Sequence, residues 1–90
     1  MKVIRGKSYE DDDGNWNKIE IELTEDDLSL EEGKASETAK PILLELKAET
    51  YIVSFLVNNK AIPAQKGKEL IDYYNTIRAG FIGTPTLNRK

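Results

Sequence analysis

The sequence predicts a single α+β domain, in which an N-terminal β-hairpin packs on a long buried helix and a shorter C-terminal amphipathic helix. Residues 18–24 alternate apolar and polar side chains, which is typical of a half-buried strand. Residues 41–59 run without a turn residue for sixteen positions, and residues 68–79 repeat apolar side chains at helical spacing. We expect residues 1–83 to form this domain and residues 84–90 to be a flexible basic tail.

Two strands and a tight turn make up the expected hairpin. The first strand covers residues 3–9, where β-formers are frequent and Gly6 weakens the pattern. The second begins at residue 18, and its inward side chains are those of Ile19, Ile21 and Leu23. Between the strands, Asp13-Gly14 is a preferred dipeptide for hairpin turns.

After the hairpin, the sequence indicates a short helical start. Thr24 is a suitable N-cap, acids follow in the first turn, and Asp27 stands three residues after the cap. Gly33 is expected to close this segment after one or two turns. Residues 33–40 then form a polar connector.

The segment 41–59 has two interpretations. Thr38 can cap a helix that carries Pro41 in its first turn, where a missing N–H is tolerated. Alternation at residues 42–49 and β-formers at residues 51–57 favour strands instead. We favour a helix that is mostly buried, because its apolar residues spread over nearly the whole helical wheel.

A last helix is expected over residues 68–79, with Gly80 as its C-terminal stop and Phe81-Ile82 folding back onto the body. The predicted core takes apolar residues from each of these elements. Its members are Ile19, Ile21, Leu23, Leu43, Leu46, Val53, Leu56, Leu70, Ile71, Tyr74 and Ile77.

The composition excludes several classes of function. Neither cysteine nor histidine occurs, so disulfide frameworks, Cys/His zinc sites, thiol nucleophiles and histidine-based triads are ruled out. The first residues lack the apolar run of a signal peptide, and the longest apolar cluster, residues 51–57, is far shorter than the roughly 20 residues of a membrane span. We therefore expect a cytoplasmic protein without membrane contact, and we expect no cofactor.

The net charge of −3 conceals a strong polarity along the chain. Residues 10–32 contain eleven acids and a single lysine, whereas residues 60–90 contain six basic residues and two acids. Such asymmetry indicates two surfaces with different partners, although solubility alone also explains charged runs.

The acidic region is the leading candidate for a binding surface. Carboxylates on alternate strand positions lie roughly 6.5–7 Å apart, a spacing comparable with that of successive phosphates, so the hairpin suits a basic cleft on a nucleic-acid enzyme. We prefer a non-enzymatic protein that binds another protein. The predicted partner-binding residues are Glu10, Asp11, Asp12, Asp13, Glu20 and Glu22.

Two other interpretations stay open. A basic C-terminal helix and tail would bind nucleic acid through phosphate contacts and base stacking. The residues expected to do so are Lys66, Lys68, Tyr73, Arg78, Arg89 and Lys90. Alternatively, the chain is an oligomeric assembly protein, such as a homodimer, whose Phe81-Ile82 segment docks on a neighbouring copy.

The stretch from Tyr9 to Glu20 partly matches a calcium-binding EF-hand loop. Five of the six defining positions carry a suitable residue, namely Asp11, Asp13, Gly14, Trp16 and Glu20. Tyr9, however, falls on the first position, where a carboxylate is needed, and Glu20 lies in a strand pattern rather than a helix. Hairpin chemistry explains the same residues, so we expect a turn and no metal site.

Without histidine or cysteine, catalysis would depend on carboxylates, lysine or tyrosine. The paired acids Asp26-Asp27 and Glu31-Glu32 lie in a polar run that is expected to be exposed. Lys18, Glu20 and Glu22 share one strand face and could in principle hold a metal, but a solvated face explains them more simply. We expect no enzymatic activity.

The first half of the chain also carries a resemblance. Over this half, it resembles small uncharacterised proteins of phages and mobile elements, which have a short N-terminal hairpin followed by helix. The resemblance implies an accessory role, such as assisting replication or blocking a host defence, and it implies no particular site residues. The segments that carry it are Lys7-Ser8-Tyr9, residues 13–23, Asp26-Asp27-Leu28 and Glu31-Glu32-Gly33.

Overall fold

The computed structural model describes residues 1–82 and shows an antiparallel hairpin packed against two helices, which confirms the predicted α+β class. Two single 3-10 turns connect the hairpin to the helices. In chain order the elements are β1 (Lys2–Glu10), β2 (Trp16–Thr24), the 3-10 turns Glu25–Asp27 and Glu32–Lys34, α1 (Ala39–Asn58) and α2 (Ala64–Ile82).

The register of the hairpin gives it two distinct faces. Val3 pairs with Leu23 and Tyr9 pairs with Asn17, so odd-numbered residues of both strands share the inner face. This face packs on α1, where the ring of Tyr9 meets that of Phe55 edge-on at 5.5 Å between centroids. Even-numbered residues form the outer face, which is almost entirely exposed.

The predicted cap at Thr24 is confirmed. Its hydroxyl accepts a hydrogen bond from the Asp26 N–H, and the Asp27 carboxylate accepts one from the Thr24 N–H at 2.8 Å. The expected helix, however, is only a single 3-10 turn. Gly33 does not close it, because the chain extends at Leu28 and Gly33 lies inside the second turn.

The helical interpretation of residues 41–59 is confirmed by α1, which places Pro41 in its first turn. Thr38 occupies the cap position without a capping hydrogen bond from its side chain, so that part of the prediction is wrong. The hydroxyl of Ser36 accepts the N–H of Ala39 instead. Ser36, two positions earlier, therefore supplies the capping hydrogen bond expected of Thr38.

The second predicted helix is confirmed, but its ends differ. α2 begins at Ala64 and continues through Gly80 to Ile82, so Gly80 is not a stop and Phe81-Ile82 does not fold back. A glycine ends a helix only where the backbone turns left-handed, and Gly14 is the only glycine with positive φ in residues 1–82. The predicted tail, 84–90, lies outside the described residues.

The core is centred on α1, because the hairpin covers one side of this helix and α2 covers another. Four predicted core residues are buried, namely Leu23, Leu43, Val53 and Leu56, and the other seven are partly buried. The buried apolar residues that the prediction missed are Ala39, Leu44, Ala48 and Ile52. A helix covered on two sides buries a wider arc than one apolar stripe.

Gly67 sets how closely the two helices approach. It is the one buried residue of α2, and a Cβ atom at this position would lie 2.2 Å from Cγ2 of Val57. The absence of a side chain therefore allows direct contact between the start of α2 and the end of α1.

No helix within residues 1–82 is both long and apolar enough to cross a membrane.

Candidate functional site: the acidic tip of the hairpin

The hairpin tip, residues 10–16, is built by a five-residue loop. The Asp11 N–H donates to the Asn15 carbonyl oxygen, and the Gly14 N–H donates to the Asp11 carbonyl oxygen. Gly14 has φ +82°, a left-handed conformation that glycine adopts without strain. The predicted turn around Asp13-Gly14 is therefore confirmed.

Asp11 organises the loop from within. One carboxylate oxygen accepts the N–H groups of Asp13 and Asn15, and the other accepts the side-chain amide of Asn17 at 2.8 Å. The hydrogen bond from the Asn15 N–H is the main cause that lowers the pKa of the Asp11 carboxyl group. Asp11 is thus a structural residue of the loop rather than a free carboxylate.

Trp16 stands on the outer face beside the loop, and 71% of its surface is exposed. It pairs across the strands with Glu10, whose carboxylate lies close to Gly14. Asp12 and Asp13 are exposed on the same loop. The tip therefore presents a large aromatic side chain next to three exposed carboxylates.

Glu20 and Glu22 are separated from the tip along β2. Both lie on the outer face, as the alternation predicted, and Lys18 shares that face with them. Lys2 lies 3.8 Å from Glu22, with both side chains more than half exposed. Basic side chains thus interrupt the acidic surface along β2, and its least compensated part is the tip.

The loop also borders a shallow depression of about 290 Å³ at the end of α1. Residues 11–13 line one side of it and Asn58, Asn59 and Lys60 line the other. Lys60 adopts a left-handed conformation with φ 61°, which turns the chain away from α1. The tip is therefore supported by the helix end rather than projecting freely into solvent.

This geometry supports neither a calcium site in the turn nor a metal site on the face of β2 that carries Glu20 and Glu22. Within residues 1–82, no group of three or more acids is arranged to hold a metal ion. Both carboxylate oxygens of Asp11 already accept hydrogen bonds from the hairpin, and Glu20 lies on a strand. A melting temperature that is the same in millimolar Ca²⁺ and in chelator would exclude the calcium site.

The residues of the predicted basic surface do not lie together. Lys66 and Lys68 face opposite sides of α2, because two residues correspond to about 200° of helical rotation. Lys68 binds Asp72 at 2.9 Å, and Tyr73 is exposed and packs beside Tyr74. Arg89 and Lys90 lie beyond residue 82, outside the described part of the chain.

Arg78 contacts a carboxylate that the sequence analysis placed on the surface. Glu32 is fully buried, which shows that its predicted exposure is wrong. Its Oε2 atom accepts hydrogen bonds from the Arg78 guanidinium, including one from Nε at 3.1 Å. Lys47 lies 3.5 Å from Oε1, so two basic side chains balance the buried carboxylate.

The charge state of Glu32 follows from this cluster. Burial alone would raise its pKa, and it is the largest single influence. Hydrogen bonds from Arg78 and the Ser29 N–H, with the positive charges of Arg78 and Lys47, together outweigh burial and lower the pKa of Glu32 to about 2. Arg78 therefore serves the fold, and this placement does not favour a phosphate contact.

Trp16 is the exposed residue of the tip that is missing from the predicted partner-binding residues. The alternation that placed Ile19 inward also places even-numbered Trp16 outward, with Glu20 and Glu22. The two-residue alternation of residues 18–24, extended toward the turn, would therefore have predicted that Trp16 is exposed.

Comparisons with protein-family models, with curated proteins and with solved structures give no match for this chain.

Proposed function

We propose that this chain is a non-enzymatic accessory protein of the phage type, which acts in the cytoplasm by binding a basic surface on another protein through its hairpin tip. The observation that carries the proposal is the exposure of Trp16 beside the carboxylates of Glu10, Asp12 and Asp13. Inhibition of a host nucleic-acid enzyme or defence protein is one outcome of such binding.

Each part of the tip has a physical role in this proposal. Tryptophan is enriched among the residues that dominate interface energies, because it buries a large area with few rotatable bonds. Carboxylates around it attract a basic partner and speed encounter, particularly at low salt. The hydrogen bonds of Asp11 hold the loop in one shape before binding, which reduces the entropy lost on association.

The test uses Trp16 as its own reporter, since the chain has no other tryptophan. A nine-residue peptide that alternates arginine with leucine or serine is titrated into the protein while tryptophan emission is recorded. We expect a change in emission, with binding that weakens as salt concentration rises. No change in emission at low salt would overturn the proposal.

Two variants locate the binding surface. Asp12→Asn/Asp13→Asn is expected to weaken the peptide about threefold to tenfold, because two facing charges are lost. Glu25→Gln/Glu31→Gln removes the same charge from exposed positions away from the tip and is expected to leave affinity unchanged. Equal weakening by both variants would mean that net charge, and not the tip, attracts the peptide.

A parallel titration addresses nucleic-acid binding by the basic residues. Fluorescence anisotropy of labelled single- and double-stranded oligonucleotides is measured at two salt concentrations. We expect no increase in anisotropy at low salt, because the three basic residues form no common surface. Lys66 and Lys68 line different cavities, and Arg78 binds Glu32. Strong, salt-sensitive binding would favour the nucleic-acid interpretation over the hairpin tip.

A further inference from the structure

One edge of the hairpin, along β1, has backbone groups directed away from β2. Asp11 donates its N–H to Asn15, which continues the register that pairs Tyr9 with Asn17. Bonded and non-bonded pairs alternate in an antiparallel ladder, so odd-numbered residues of β1 bond to β2 and even-numbered residues point outward. Thr24 follows the same rule on β2, because its N–H bonds outside the ladder to Asp27.

This edge of β1 is long and open. Its outward-directed residues are all exposed, and their N–H groups bond to no side chain in residues 1–82. A nine-residue strand presents such groups over about 30 Å, and an open edge of that length is a template for a further strand. The outward-directed residues are Lys2, Ile4, Gly6, Ser8 and Glu10.

A groove of about 250 Å³ lies beside this edge, on the inner side of the sheet. Buried residues of α1 form its floor, and β1 and α2 form its walls. A strand added to β1 would direct every second side chain toward this groove. Its principal lining residues are Lys7, Ile52, Leu56, Lys66, Leu70 and Tyr74.

Three charged residues line the groove, namely the basic Lys7 and Lys66 and the acidic Glu49. Lys7 and Lys66 make no ion pair with any described residue, and they come from opposite walls. The charge of Glu49 is balanced, because its carboxylate accepts a hydrogen bond from the Arg5 guanidinium at 2.8 Å. The opposite edge of the sheet, by contrast, runs along the acidic residues of β2. An acidic ligand therefore fits the β1 edge and not the β2 edge.

We propose that β1 accepts an extended segment of a partner protein as a third strand. Every second side chain of this segment enters the groove, and these side chains are apolar or acidic. Backbone hydrogen bonds hold the segment, a large apolar side chain fills the space above Ile52 and Leu70, and carboxylates meet Lys7 and Lys66. Glu10, at the end of β1, is the one residue that this surface shares with the hairpin tip, and the groove contains neither Trp16 nor the loop, so the proposal does not depend on the function proposed for the tip.

The experiment follows the amide groups of the intact protein by NMR. The probe is a pool of nonapeptides whose alternate positions are leucine, isoleucine, phenylalanine or glutamate and whose intervening positions are threonine. We expect hydrogen exchange at Ile4, Gly6 and Ser8 to slow at least about tenfold, because these N–H groups become bonded. Exchange at Lys18 and Glu20, on the other edge, is expected to stay unchanged.

Two proline variants separate the two edges at one cross-strand pair. Ser8 faces Lys18, and both N–H groups point outward, so proline at either position removes no ladder hydrogen bond. Ser8→Pro is expected to abolish peptide binding, whereas Lys18→Pro is expected to retain it. Loss of binding in both variants, or in neither, would overturn the proposal.

A charge reversal keeps the proposal falsifiable if Ser8→Pro does not fold. Lys66→Glu is expected to weaken the glutamate-containing peptides at least about fivefold, and Lys34→Glu, a matched reversal at an exposed site, is expected to have little effect. Equal effects of the two reversals would exclude a role for the groove. Absence of exchange protection in the unmodified protein would exclude the third strand itself.

Discussion

The carboxylate of Glu32 and the guanidinium of Arg78 form an ion pair across 46 residues of sequence. Glu32 is fully buried between the 3-10 turn that carries it and the two helices. Lys47 of α1 lies on its other oxygen, so three separate elements meet at one carboxylate. The pair therefore fixes the connector to the two helices.

Removal of the Glu32 charge should cost substantial stability. Glu32→Gln leaves Arg78 and Lys47 partly buried without a counter-charge, and a fall of about 3 kcal/mol in the free energy of unfolding is expected. Urea unfolding monitored by circular dichroism gives the value. The neighbouring control Glu31→Gln changes an exposed residue and is expected to stay within about 0.5 kcal/mol of the unmodified protein.

The same carboxylate gives stability a defined dependence on pH. Its pKa is about 2 in the folded protein and near 4.5 in the unfolded chain, so unfolding takes up a proton between these values. The contribution is complete above about pH 5 and is lost as pH falls toward 2. It amounts to about 3 kcal/mol, since each pKa unit corresponds to 1.36 kcal/mol.

Unfolding curves at several pH values test this dependence. The stability difference between the unmodified protein and Glu32→Gln is expected to shrink steadily from pH 5 to pH 2.5. Other acids titrate in the same range, but both proteins contain them, so they cancel in the difference. A difference that stays constant with pH would show that Glu32 remains ionised in the unfolded chain or is not paired in the folded protein.

Gly67 should tolerate no side chain. Gly67→Ala places a methyl group against Val57 at a distance that requires the helices to separate, and we expect a loss of about 1–3 kcal/mol despite the higher helix propensity of alanine. Gly80→Ala is the matched control, because nothing lies within 4 Å of its Cβ position, and it should add about 0.5–1 kcal/mol. Thermal unfolding measures both.

A second substitution tests the cause of the Gly67→Ala loss. Val57→Ala removes the contacting methyl groups and is expected to restore much of the stability when it is combined with Gly67→Ala. Additive losses in the double variant would locate the defect elsewhere than at this contact.

Asp11 should control the order of the hairpin loop. Asp11→Ala removes the acceptor of the Asp13 and Asn15 N–H groups, and hydrogen exchange at these two positions is expected to rise about tenfold. Asp12→Ala serves as the control, because no hydrogen bond to the Asp12 side chain is present among residues 1–82. Unchanged exchange in Asp11→Ala would mean that Gly14 and the strands order the loop without this carboxylate.

Local patterns predicted the elements of this fold well. The alternation of Ile19, Ile21 and Leu23 identified β2, and the absence of turn residues identified α1, since both signals depend on neighbours in sequence. The ends of α2 were less accurate, because its first turn packs on α1 through Gly67 and because Gly80 keeps a helical backbone. Nothing local to residues 64–67 signals that contact.

Burial of charge was the least predictable feature. Glu32 stands among acids and looks exposed in the sequence, and its partner Arg78 looked like a phosphate ligand. A signal did exist in Ser29 and Glu32, which have capping-box spacing and exchange hydrogen bonds between side chain and N–H. The pairing with Arg78, however, depends on how α2 crosses the connector, which local spacing does not encode.

The distance in sequence between Glu32 and Arg78 bears on the kinetics of folding. Hairpin and helix pair are each formed from neighbouring segments, and such contacts form early, whereas a pair 46 residues apart closes a long loop. If the pair is absent from the transition state, its energy resists unfolding without hastening folding. Glu32 would then slow unfolding more than it speeds folding, so that its main effect is a longer lifetime of the native state.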